Sequence, residues 1–318
     1  MPGPIVTIGS TNMDLVCRTR RMPRPGETIL GGDFVTIAGG KGANQAVAAA
    51  RLATAGTEVF LVGRVGSDDF GRQLLDGLKQ NAVNTAHVTT TPGASGVAMI
   101  LVDRGGENSI VVAPGANAKL SPADVDAAKS IIASASVVVM QLEIPIETVR
   151  HAIGLCRESE VFTILDPAPV PAGGLPRALF AVDVLTPNQQ EAALILGVKR
   201  GGGHRTRRKS ISGPRHFGAE ILARGPARVV IKLGGRGAVL VDRSGRMERG
   251  KPFKVDVVDT TAAGDAFTAA LAVARAEAME PADSLRFANA AGALTCAQLG
   301  AQPSLPTRAA VVKLMSKR

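Results

Sequence analysis

Short runs of β-branched residues recur along this chain, separated by Ala-rich stretches of helical length. The runs are Ile5–Ile8, Val59–Val62, Val137–Met140, Val161–Leu165, Val182–Thr186, Val229–Lys232 and Ala238–Val241. The stretches include Ala43–Leu52, Phe70–Gln80, Pro122–Ala133, Ile146–Arg157 and Gln189–Leu196. Parallel strands need a crossover between them, and a helix supplies it, so this alternation predicts βαβ units. The expected class is α/β with a mostly parallel central sheet, its ligands beyond the carboxyl ends of the strands. Two stretches depart from the alternation. Residues 13–38 and 95–112 carry β-formers such as Thr28-Ile29-Leu30, Phe34-Val35-Thr36, Val97–Ile100 and Ser109–Val112, with no helix between. They predict a small antiparallel sheet standing apart from the main one.

At 318 residues the chain can bury about three quarters of its unfolded surface, so it needs no disulfide or metal staple. No apolar run approaches membrane-spanning length, and MPGPIVTIGS lacks the basic and apolar regions of a secretory signal. Cys17, Cys156 and Cys296 are too few and too far apart for a disulfide framework. Buried structural thiols and a reducing, cytoplasmic location are therefore expected. Four scattered histidines argue against a His-centred triad or a His-ligated metal. The net charge is +10, but Lys199, Arg200, Arg205, Arg207, Arg208, Lys209 and Arg215 supply seven of those charges within one acid-free segment. The basic stretch 199–216 reads as a Gly-rich solvated loop inserted between helices. A cationic loop can bind an RNA backbone, but the chain has no Trp or Tyr to stack bases, so nucleic acid is not an expected partner.

Several constellations can carry chemistry. Gly39-Gly40-Lys41-Gly42-Ala43-Asn44-Gln45 is a strand-to-helix turn by its glycines. Its Lys and Asn also offer donors suited to sugar hydroxyls. A Walker A loop is excluded, because a glycine follows Lys41. Asp259-Thr260-Thr261-Ala262-Ala263-Gly264-Asp265 opens a helix with small residues whose bare N–H groups can hold an anion. Asp265 can take a proton from a hydroxyl there. Taken singly, Asp259 also reads as an N-cap and Asp265 as a first-turn acid. Asn188 and Glu191 stand three apart and suit Mg²⁺ directly or through its waters, and they equally form a capping box. Lys232-Leu233-Gly234-Gly235-Arg236-Gly237 either admits a nucleotide or turns a hairpin. Asn12, Asp14 and Glu143 each follow a strand, as sugar ligands or as plain turn residues.

Together these residues resemble the ribokinase-like carbohydrate kinase family, the PfkB type. The resemblance runs from Gly9 to Pro306, and GGKGANQA with DTTAAGD-AF are its specific motifs. GSTNMDL, RPGETI, PGAN, MQLEIP, LDPAP, TPNQQEA and GAQPS add to it. The resemblance implies a single ribokinase-like kinase domain over 1–318. Its three-layer sandwich would carry a discontinuous β lid from about 13–38 and 95–112, often a homodimer interface. It implies transfer of the ATP γ-phosphate to the 5-hydroxyl of D-ribose. Fructose, deoxyribose and nucleosides are the alternative acceptors within the family. Asn12, Asp14, Gly40, Lys41, Asn44 and Glu143 would hold the sugar. Asp265 would be the base, with Ala262, Ala263 and Gly264 as the anion hole. Asn188, Lys232, Gly234, Gly235, Arg236, Gly237, Gly264 and Asn289 would serve the nucleotide, and Asn188 and Glu191 the Mg²⁺. A monovalent cation, K⁺, would be held by Asp259, Thr261, Thr295, Gln298, Gly300 and Ser304. Lys232 departs from the family, where a small hydroxyl residue is common, and Thr268-Ala269 replaces an Asn-Gly pair.

Overall fold

A computed structural model describes residues 3–198 and 213–317. The strands are β1 (Ile5–Ile8), β2 (Asn12–Arg18), β3 (Phe34–Gly39), β4 (Val59–Gly66), β5 (Val83–Thr91), β6 (Gly96–Val102), β7 (Asn108–Ala113), β8 (Val137–Met140), β9 (Thr163–Leu165), β10 (Val184–Leu185), β11 (Arg228–Lys232), β12 (Ala238–Asp242) and β13 (Met247–Gly250). The helices are α1 (Lys41–Leu52), α2 (Asp69–Gln80), α3 (Pro122–Ala127), α4 (Lys129–Ala133), α5 (Ile146–Glu158), α6 (Gln189–Ile195), α7 (Pro214–Leu222), α8 (Ala263–Ala276), α9 (Pro281–Cys296) and α10 (Arg308–Ser316).

The large sheet has the order β13-β12-β11-β10-β9-β8-β1-β4-β5. Its pairs are parallel from β11 to β5, and β12 and β13 complete it antiparallel. Both faces are covered, and strand alternation decides which side chain enters which layer. Ile5, Val137 and Val139 pack with α1, α8, α9 and α10 on one face. Val6, Ile8, Val138 and Met140 pack with the α3–α7 layer on the other. The expected three-layer α/β arrangement is therefore present.

The second sheet has the order β3-β2-β6-β7. Its outer pairs are antiparallel as expected, but β2 and β6 at its centre run parallel. After β3 the chain passes through α1, β4, α2 and β5 before returning as β6, and that excursion through the large sheet permits the parallel pairing. Thr28–Leu30, expected as strand, is irregular, and Leu30 is exposed.

Other expectations change in detail. Pro122–Ala133 is two helices, α3 and α4, parted at Ala128, where φ is −98° and ψ is 7°. Of the basic stretch 199–216, residues 199–212 lie outside the described residues. Pro214 onward belongs to α7 rather than to a loop, with Pro at a first-turn position where no donor is needed. Cys156 is buried, and burial pushes its thiol up to about 12, but Cys17 and Cys296 are only half-buried. Among the described residues, no helix is long and apolar enough to cross a membrane.

Candidate active site

The carboxyl ends of β1, β8, β9, β10 and β11 point to one region, where the first turns of α1, α6 and α8 also arrive. Gly40 is the N-cap of α1 at φ +85°, a conformation that other residues rarely adopt. A side chain there would also start 2.6 Å from the Asn12 amide nitrogen. Glycine thus lets the chain pass from β3 into α1 close beside β2, and sets Lys41 and Asn44 in the first turn. Its neighbour Gly39 faces Asn12 across the strand pair and leaves room for the Asp14 carboxylate, which a Cβ would meet at 2.2 Å.

Asp265, in the first turn of α8, is the centre of the site. Its side chain is 6% exposed. Asn44 Nδ2 donates to Oδ2 at 3.0 Å and Gln45 Nε2 to Oδ1 at 3.1 Å, while the Lys41 ammonium lies 4.0 Å away. Burial raises the Asp265 pKa, and Asp166 adds to the rise against the opposing Lys41 charge and the two amide donors. A carboxylate so tuned is a better proton acceptor than a solvated one.

Neither aspartate of the DTTAAGD turn caps α8. The N-cap is Ala262, in the left-handed region at φ +58°. Ala263 N–H bonds to the Thr260 carbonyl, but those of Gly264 and Asp265 find no acceptor among the described residues. Asp259 instead accepts from Thr261 N–H and Oγ1 on one oxygen and from Gly300 N–H on the other. Burial opposes ionisation of Asp259, yet these donors hold its pKa below the ordinary carboxylate value. Its contacts pin the α8 turn against the segment after α9. The carbonyls of Asp259, Thr261, Gln298 and Gly300 there receive no backbone hydrogen bond among the described residues. Such free carbonyl oxygens fit a monovalent cation. The Thr295 and Ser304 hydroxyls, by contrast, donate to the Ala291 and Ala301 carbonyls.

Toward the small sheet, Asn12 and Asp14 are buried on β2. Asn117 Nδ2 donates to Asn12 Oδ1 at 2.7 Å and orients that amide. Burial, then the neighbouring Glu143 and Asp265 charges, raises Asp14 to about 7. Glu143 Oε2 accepts from Ser10 Oγ at 2.6 Å and from Lys41 N–H at 3.1 Å. Asn44 Oδ1 is buried without a partner among the described residues. An orphaned acceptor beside a carboxylate suits a hydroxyl donor, whether from a ligand or from water.

On the other side of Asp265 a cavity of about 790 Å³ opens, lined among others by Lys232, Gly234, Gly235, Gly237, Gly264, Phe267, Asn289 and Cys296. Asn289 Nδ2 beside it is buried and has no partner among the described residues. Arg236 does not line it, because its exposed guanidinium bonds to Gln189 Oε1. Asn188 and Glu191 form the complete capping box of α6, as their spacing allows. Each Glu191 oxygen takes one donor from Asn188, so lone pairs remain for metal-bound water. Burial raises the Glu191 pKa, with Lys232 opposing.

Ser10, Gln45, Asn117 and Asp166 also join the site; all four lie inside the motif segments, but only the fold shows what they touch.

A buried polar cluster, a buried carboxylate with free amides beside it, and a nucleotide-sized cavity together suit a carbohydrate kinase. The chain belongs to that class: the pfkB family carbohydrate kinases match residues 4–308. It is 40% identical to the ribokinase of Bacillus subtilis over 316 residues, covering 98% of this chain and 99% of that one. It is 39% identical to the Schizosaccharomyces pombe ribokinase, covering 95% of each. The Arabidopsis thaliana ribokinase solved with ribose and ATP superimposes with a TM-score of 0.86 at 33% identity, over 100% of both chains.

Proposed function

We propose that this chain transfers the γ-phosphate of ATP to the 5-hydroxyl of D-ribose. The observation that carries the reading is the position of Asp265. Its buried carboxylate sits between the polar cluster of Asn12, Asp14, Asn44 and Glu143 and the cavity lined by Gly264 and Asn289. The substrate choice is supported by the full-length similarity to ribokinases.

In this reading Asn12, Asp14, Lys41, Asn44 and Glu143, with the Gly40 backbone, hold the sugar so that its hydroxyl faces Asp265. Asp265 accepts the proton as the oxygen attacks phosphorus. The Ala262–Gly264 turn, with the free amide of Gly264, meets the charge on the transferring group. Phosphoryl transfer is mostly positioning and charge neutralisation, and these parts supply both. When bound, Mg²⁺ neutralises phosphate charge, with Asn188 and Glu191 its holders through water. The carbonyls around Asp259 and Gly300 fit K⁺. Coupled ADP release, measured across ribose, deoxyribose, fructose and nucleosides, tests the substrate. The expected result is the highest kcat/KM for ribose, and a higher value for another acceptor overturns the assignment.

The small sheet acts as a lid in this reading, and it supports a homodimer. Phe34, Val35, Ile110, Val111 and Val112 are between 45% and 61% exposed on its outer strands β3 and β7. Edge strands carrying apolar side chains are sites of association. Ile110→Glu is expected to shift the mass in light scattering from dimer to monomer. A wild-type monomer counts against the proposal.

A further inference from the structure

Lys232 is a second lysine at the reacting centre. It ends β11, and its side chain is 12% exposed. Its backbone N–H bonds to the Pro187 carbonyl at 2.9 Å, which fixes it beside the α6 cap. Its Nζ donates to Asp166 Oδ1 at 2.9 Å, and the Asp166 side chain is 1% exposed. The other Asp166 oxygen accepts from Gln45 Nε2 at 3.1 Å, and the same nitrogen donates to Asp265 Oδ1. Gln45 is itself fixed by Gln141, whose Nε2 donates to Gln45 Oε1 at 2.6 Å. A chain of contacts thus joins Lys232 to the base. Nζ also lies 3.5 Å from where a Gly264 side chain would begin, over the first turn of α8, and the residue lines the 790 Å³ cavity.

An ion pair this deeply buried costs desolvation that a neutral pair of the same size avoids. Stability alone therefore does not explain its presence. A cation between a nucleotide cavity and a free helix N-terminus does have a use. We infer that Lys232 is a catalytic residue whose ammonium contacts the oxygens of the transferring phosphoryl group. Asp166 is the positioning residue that aims it and, through Gln45, couples its placement to Asp265. In the step, the sugar oxygen bonds to the γ-phosphorus as the bond from phosphorus to the β,γ-bridging oxygen breaks. The electron pair leaves with ADP, the hydroxyl proton passes to Asp265, and Lys232 keeps its proton throughout. The inference rests on the kinase reading of the site.

The test compares wild type, Lys232→Met, Asp166→Asn and the double variant Lys232→Met/Asp166→Asn. Turnover is read by ADP release, and binding of ADP and of a non-hydrolysable ATP analogue by calorimetry. Lys232→Met is expected to lower kcat by about 10²-fold or more, as loss of one anion-stabilising donor does elsewhere. It should weaken the analogue about tenfold more than ADP, because only the analogue carries a γ-phosphate. Asp166→Asn should lower kcat less and preserve the preference for the analogue. The double variant leaves no unpaired buried carboxylate, so it separates folding from catalysis, and its kcat should stay as low as that of Lys232→Met. Turnover restored to near wild type in the double variant, or equal weakening of ADP and the analogue in Lys232→Met, overturns the inference. Failure of the kinase reading looks different. Wild type would then release no ADP with any acceptor, while the two binding measurements would still judge Lys232 on their own.

Discussion

Asp265→Asn is expected to lower turnover with ribose at least ~10³-fold, combining a lost proton acceptor with disturbed positioning. The change is nearly isosteric, so KM for the sugar should move far less than kcat. Near-native turnover would remove Asp265 from the mechanism. The same variant carries a signature in stability. Burial raises the Asp265 pKa above its unfolded value. A group raised in this way stabilises the fold least where it is forced to ionise, so its contribution declines as pH climbs through the folded pKa. Asn carries no charge to desolvate. The variant should therefore melt at a higher temperature than wild type at neutral and alkaline pH, and the gap should close on acidification. Greater stability with lost activity is the pattern of a group retained for chemistry.

Asp14 should dominate acceptor binding. Two hydrogen bonds from sugar hydroxyls to one buried carboxylate, lost together, predict a rise in KM for ribose of about 10²-fold or more in Asp14→Ala. The wild-type enzyme offers a second check. With Asp14 raised to about 7, its ionised fraction falls as pH drops through neutrality. The apparent affinity scales with the competent fraction, so KM should rise about tenfold between pH 8 and pH 6. Asp14→Asn has no proton to lose there, and its KM should be flat over the same range. A flat wild-type profile would show that Asp14 stays ionised or does not bind the sugar.

Much of the fold is written in local pattern. The strands from β1 to β12 that fill the interior of the large sheet are near-continuous apolar runs, because both of their faces are covered. The strands that escaped notice are the two edges, β5 and β13. Their sequences, VNTAHVTTT and MERG, keep few buried side chains, so hydrophobic pattern has little to register. The parallel pairing of β2 with β6 was hidden for another reason. Alternation shows that a segment is a strand and says nothing of a partner some 80 residues away. The site divides in the same way. The glycine turn and the small-residue helix start were legible because backbone geometry demands those residue types. The links among Gln45, Gln141, Asp166, Lys232 and Asp265 were not, because they join three strand ends and two helices. The Asn188–Glu191 spacing shows the limit of a motif. It fitted a capping box and a metal site at once, and the capping box it forms leaves lone pairs for metal-bound water.

The small sheet carries Asn12 and Asp14, whereas Asp265, Lys232 and Asp166 are mounted on elements of the large one. In the proposed reading, part of the grip on the acceptor therefore lies on a different sheet from the phosphoryl chemistry, while Lys41 and Asn44 on α1 adjoin Asp265. Redesign toward another sugar can begin at β2 and its neighbour Asn117, leaving the reaction machinery as built. A library confined to that strand explores preference without spending variants on the residues proposed for the chemistry.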